Sequence, residues 1–140
     1  YSFKNLGAGQ ASLSKLGRDD YSVESVPLCT LDQYLETAQV TKVDVIKMDV
    51  EGAEMEVLKG AQSLLRQSIP PIWLLEMNVE TARSFGYAPE DLLRLLEDHV
   101  DWKFYRIVHG WGDLLPMASL TDFEHGDNVL CLPEARKDRI

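Results

Sequence analysis

Val43-Asp44-Val45-Ile46-Lys47-Met48-Asp49-Val50-Glu51-Gly52-Ala53-Glu54 decides the fold of this chain. It opens as a β-branched, apolar run, the pattern of a strand buried on both faces. Two carboxylates and a glycine follow where the chain turns toward a helix. In an open parallel α/β sheet, ligands bind in the crevice beyond the carboxyl ends of the strands. Asp49 and Glu51 stand at such an end, which makes them the candidate catalytic side chains. Lys47 shares a strand side with Asp49, because side chains alternate with period two, and it is expected to pair with it.

Downstream, the spacing predicts a helix over Glu51–Gln67. Met55, Leu58, Ala61 and Leu65 form one stripe, and Glu56, Lys59, Gln62 and Arg66 face water. Glu51 and Glu54 would sit in its first turn and offset the helix dipole, with Asp49 as a possible N-cap. Gly60 costs up to about 1 kcal/mol against alanine inside a helix, a cost that close packing on a strand would explain. Pro70-Pro71 ends that segment, and Ile72–Met77 reads as a second strand. Glu76 and Asn78 at its end are candidate substrate-binding residues, with capping of the following loop as the competing role. Pro89, Glu90 and Asp91 open another helix. Lys103–Val108 is a third strand, His109–Gly126 an irregular connection, and Asn128–Leu132 the last strand. Upstream, Thr30 and Gln33 have capping-box spacing and start a short helix over Leu31–Ala38. Tyr1–Tyr21 reads as loop, and a short strand is expected within Tyr21–Leu28. Strand–helix alternation of this kind implies parallel strands with crossover helices, and the final helix-free pair allows an antiparallel closing strand.

The 140 residues make one domain at most, and 45% hydrophobic content is ample for a core. The net charge of −9 comes without a basic face, which disfavours a nucleic-acid partner. No apolar run reaches the roughly eighteen residues of a membrane span, and no signal peptide is visible. Cys29 and Cys131 are too few for a disulfide framework and read as small buried hydrophobes in a reducing, cytoplasmic setting. A first residue of Tyr rather than Met suggests a fragment or a processed chain.

Several motifs resemble the FkbM family of S-adenosylmethionine-dependent methyltransferases. They are Lys47-Met48-Asp49-Val50-Glu51-Gly52-Ala53-Glu54 with Val57-Leu58-Lys59-Gly60-Ala61, Leu31-Asp32 before them, and Pro71-Ile72-Trp73-Leu74-Leu75-Glu76 and Asn128-Val129-Leu130-Cys131-Leu132-Pro133 after them. The resemblance runs from about Val26 onward. It implies an α/β, Rossmann-like class I methyltransferase sheet. Residues 1–140 would then be one partial domain, the C-terminal half, without the family's glycine-rich cofactor loop and acidic ribose-binding residue. It further implies methyl transfer from S-adenosylmethionine to a hydroxyl of a small molecule, sugar or lipid-linked acceptor. The cofactor-binding residues of this half remain unassigned, and the isolated chain is expected to be inactive.

The residues alone leave other readings open. Asp49, Glu51 and Glu54 could serve a divalent-metal hydrolase, since hard cations take oxygen ligands. They could also be mere caps in a non-catalytic α/β binding module. His109 is at the end of a strand, where a general base could work, but a lone histidine is more often structural. His99 and His125 lack ligand spacing with it, so no metal site is assigned. Gly7-Ala8-Gly9 lacks the strand before and helix after that a nucleotide loop needs.

Overall fold

The computed structural model describes residues 2–3, 12–14, 19, 21–108, 112–118 and 126–139. Gly7-Ala8-Gly9, His109 and His125 lie outside them. A small antiparallel pair joins β1 (Ser2–Phe3) to β2 (Tyr21–Ser22). Then follow α1 (Leu31–Thr37), β3 (Val45–Met48), α2 (Glu54–Lys59), α3 (Gln62–Leu65), β4 (Ile72–Asn78), α4 (Val79–Ser84), α5 (Pro89–Glu97), β5 (Trp102–Val108), β6 (Asp113–Pro116) and β7 (Gly126–Pro133). A 3-10 helix over Glu134–Arg139 comes last. Among the described residues the five long-range strands form one mixed sheet in the order β3-β4-β7-β5-β6.

β3 and β4 run parallel, as their connection through two helices requires. β7 inserts antiparallel between β4 and β5, as the helix-free ending allows. The connection expected to be irregular instead holds β6, which forms an antiparallel pair with β5. Its Leu114 and Leu115 are too short a run to stand out as a strand in the sequence.

One face of the sheet carries the core. Along β4, Trp73, Leu75 and Met77 are buried, while Ile72, Leu74 and Glu76 on the opposite face are partly or fully exposed. The buried side packs with Met48, Leu58, Leu65, Leu92, Leu93, Leu96, Phe104, Val129 and Cys131. α5 contributes three leucines to it, and its start is set by Pro89 at the first helical position. β3 departs from expectation: Val45 is 60% exposed, so this strand is covered on one face rather than two. It stands at the edge of the five-stranded sheet, where its apolar residues have fewer neighbours.

The helix expected over Glu51–Gln67 is two helices. The first starts three residues late, because Glu51 (φ 52°) and Gly52 (φ 101°) adopt left-handed backbone that no helix accepts. Asp49 and Glu51 are therefore neither cap nor first turn. The segment breaks again at Gly60-Ala61, where the close approach comes from α1 and not from a strand. A Cβ on Gly60 would be 3.2 Å from Thr30 Cβ, and the Asp32 amide donates to the Gly60 carbonyl oxygen at 3.0 Å. The capping box of α1 is present, with Thr30 Oγ1 accepting from the Gln33 amide and Gln33 Oε1 accepting from the Thr30 amide. Cys131 is buried as expected. Cys29 is exposed, because it precedes α1 on a surface segment.

Candidate functional site

The parallel register sets Met48 against Leu75, so the residues that follow, Asp49 and Glu76, stand level on adjacent strands. Both point to the face opposite the core. Lys47 Nζ donates to Asp49 Oδ2 at 2.8 Å, the pairing expected from their shared strand side, and the Asp49 and Glu76 carboxyls are close enough to shift each other's protonation.

Their electrostatics differ. The Lys47 ammonium, and then the neighbouring Glu76 carboxyl, hold Asp49 below the ordinary carboxylate value. Burial raises Glu76, and the Asp49 charge raises it further, so Glu76 keeps its proton longer than Asp49 does. Glu51 is also raised, first by burial and then by the charges of Asp49 and Glu54. Of the two expected catalytic carboxylates, Glu51 is the better proton acceptor near neutrality, and Asp49 is the one locked in an ion pair.

Asn78 plays a different part. Its Oδ1 accepts from the Glu80 amide at 2.9 Å and the Thr81 amide at 3.3 Å, capping α4. The competing role is realised, and its amide nitrogen is what remains to face a ligand. α4 itself is absent from the sequence reading, because Val79–Ser84 is too short to show a period.

Glu54 stands in the first helical turn, as expected, and is only 4% exposed. Its Oε1 accepts from the amides of Val50 and Gly52, each at 3.2 Å. The Tyr87 hydroxyl donates to Glu54 Oε2 at 2.8 Å and lies 3.0 Å from the Gly52 carbonyl oxygen. Burial, and then the Glu54 carboxylate, push the Tyr87 phenol well above its usual range, so it stays a donor. Ser12 Oγ donates to the Glu51 carbonyl oxygen at 2.9 Å. A glutamate just past a glycine turn can reach back to the turn amides, which is the only local hint of this arrangement. Tyr87 and Ser12 carry no sequence signal at all, since they meet the turn from 35 and 39 residues away.

An apolar hollow of about 550 Å³, lined among others by Leu13, Leu28, Tyr34, Ala53 and Val57, borders this turn without including the carboxylates. Among the described residues no group of three or more His, Cys, Asp or Glu side chains is arranged to hold a metal ion. Nor is any described helix long and apolar enough to cross a membrane.

The carboxylate pair makes a pH prediction. A raised carboxylate contributes stability below its unfolded value, and that stability is lost as pH rises through the folded value. Glu76 acts in this sense above 4.5, whereas Asp49, being lowered, contributes above 3.8 and loses that as pH falls. Glu76→Gln is therefore expected to raise Tm relative to the parent as pH climbs past 4.5, by about 1–3 °C at neutrality given its solvent exposure. Thermal melts from pH 4 to 8 check it. A lower Tm for the variant at neutral pH would mean that the Glu76 carboxylate gains more from Lys47 than it loses to burial and to Asp49.

The model of the methyltransferase FkbM domain matches residues 1–101. A curated relative, the hexuronic acid methyltransferase AglP of Haloferax volcanii, is 37% identical over 67 residues, which is 48% of this chain and 25% of AglP. The matched stretch thus spans about a quarter of that relative's length. No solved structure matches the chain.

Proposed function

From the premise that the chain belongs to the FkbM methyltransferase family, we propose that it is the acceptor-side part of a Rossmann-like class I enzyme. The enzyme would transfer methyl from S-adenosylmethionine to a hydroxyl of a small-molecule, sugar or lipid-linked acceptor. The observation that carries this reading is the meeting of Asp49, Glu51 and Glu76 at the carboxyl ends of adjacent parallel strands. The strand order 3-4-7-5 at this end, with an antiparallel strand inserted third, supports the Rossmann-like assignment. Sugar-type acceptors are favoured by the hexuronic acid named for the relative.

The donor set fits the cofactor. Lys47 is the one ammonium beside Asp49 and Glu76, and Glu51 adds a third carboxylate, which leaves net negative charge where a sulfonium would be held. S-adenosylmethionine supplies an electrophilic methyl carbon when bound. Glu51, whose carboxyl is raised by burial and by neighbouring charge, would accept the proton of the acceptor hydroxyl. Asp49, kept ionised by Lys47, and Glu76 accept hydrogen bonds from neighbouring hydroxyls and orient the attack. The amide nitrogen of Asn78 is available to donate to the acceptor. Residues 1–140 would form part of a longer domain, which the match to only a quarter of AglP supports.

The test uses radiolabelled S-adenosylmethionine with the intact protein and a panel of uronates, neutral sugars and lipid-linked glycans. Label transferred to a hydroxyl supports the reading. Label transferred to a carboxylate or amine, or to none of the panel while S-adenosylmethionine binds, overturns the hydroxyl assignment. Residues 1–140 alone are expected to bind S-adenosylmethionine weaker than about 1 mM, because pre-formed sites need both walls of the crevice. Titration calorimetry checks this, and a micromolar constant would place the whole cofactor site within these residues.

A further inference from the structure

We propose that Glu54 and Tyr87 are a positioning pair that forces the Glu51 side chain out of the turn and holds it against the Asp49–Glu76 group. The inference rests on the proposed function for its catalytic meaning, on the geometry of the turn for the positioning, and on the mutual charge effects of Glu51, Asp49 and Glu76 for the place of the Glu51 carboxylate. Glu54 Oε1 gathers the amides on both sides of Glu51, those of Val50 and Gly52. With both neighbours tied to one oxygen, the Glu51 residue must bulge, and its φ of 52° records that bulge. A non-glycine residue in this region carries strain and persists only where its surroundings over-determine it. The surroundings do so here. Tyr87 fixes the far oxygen of Glu54 and contacts the Gly52 carbonyl, while Ser12 binds the carbonyl of Glu51 itself.

A buried carboxylate is costly to place, and this one is matched by three donors, the Val50 and Gly52 amides and the Tyr87 hydroxyl. What it organises is the one turn that carries two of the three acidic residues of the site. Glu51 faces the charges of Asp49 and Glu54, and Glu76 faces those of Asp49, Glu51 and Lys47, so any relaxation of the turn changes these neighbours together.

The test is carboxyl-carbon NMR titration of the intact protein without cofactor, with amide hydrogen exchange on the same samples. Tyr87→Phe removes one hydroxyl and leaves the Glu54 charge in place. It is expected to move the Glu51 titration back toward that of an ordinary glutamate and to narrow the separation of Asp49 and Glu76. The Val50 and Gly52 amides should exchange up to about tenfold faster, while those of Leu75 and Val129 keep their protection. Glu54→Gln retains an acceptor oxygen and should keep the two turn amides protected; Glu54→Ala should lose them. A lower Tm in Tyr87→Phe with the three titrations unmoved would make the pair merely structural and overturn the proposal. Should Glu54→Ala not fold, Tyr87→Phe decides alone. No turnover enters the measurement, so failure of methyl transfer and failure of the positioning pair are read separately.

Discussion

Gly52→Ala is expected to cost about 3 kcal/mol or more and to lower Tm by roughly 10 °C. Two penalties add. The first is backbone: Gly52 has φ 101°, which an L-residue adopts only under strain. The second is space. A Cβ there would stand 2.7 Å and 2.8 Å from Phe85 Cδ2 and Cε2, and 2.8 Å from the Thr81 carbonyl oxygen. The ring could turn aside, but the carbonyl belongs to the backbone of α4 and cannot. Gly86→Ala is the internal control. Its φ is 82°, yet nothing lies within 4 Å of the added Cβ, so it should carry only the backbone cost of about 1 kcal/mol. Thermal melts of the two variants isolate the crowding term. Equal losses would show that Phe85 and α4 yield to the methyl group.

Charge removal at the site should behave in the opposite manner, with large kinetic and small structural effects. Glu51→Gln in the intact protein is expected to reduce turnover by about 10²–10⁴-fold, the range attributed to a positioned base. Its backbone contacts involve the amides and carbonyl of the turn and not its carboxylate, so stability should change by less than about 1 kcal/mol. Asp49→Asn should also slow turnover far more than it destabilises, because its ion pair with Lys47 is largely solvated. Melting temperature and methyl-transfer rate belong on the same preparations. Losses of activity in proportion to losses of Tm would reduce both residues to scaffold.

The features legible in the sequence share one property: their causes lie within a helical turn or along one strand. The capping box of Thr30 and Gln33, the Pro89 start, the Met55–Leu58–Leu65 stripe and the placement of Asp49 and Glu76 at strand ends all belong to this class. The departures have distant causes. Glu54 reads as a first-turn acid, which it is, but nothing local shows that it is buried and met by Tyr87, 33 residues on. The Glu51–Gly52 bulge depends on the same contact and on Phe85 packing over the glycine. Asn78 has equal claims as ligand contact and as cap, and only the presence of α4 decides how its carbonyl oxygen is used. The acidic group itself could be anticipated as a set of strand-end residues, but not the division of labour within it. That division is created by Lys47 on one side and burial on the other.

The place of β7 bears on how the molecule is made. This strand is last in chain order among the described strands, yet it sits in the middle of the sheet, between β4 and β5. During synthesis β4 is complete at Asn78, while its partner begins only at Gly126. At about 5–20 residues per second, the ribosome needs several seconds to deliver the missing strand. For that interval Trp73, Leu75 and Met77 lie next to an open hydrogen-bonding edge, a template for pairing with the wrong chain. The nascent chain should therefore be most dependent on chaperones between these two points, and a stop codon before Gly126 should yield aggregated rather than partly active product.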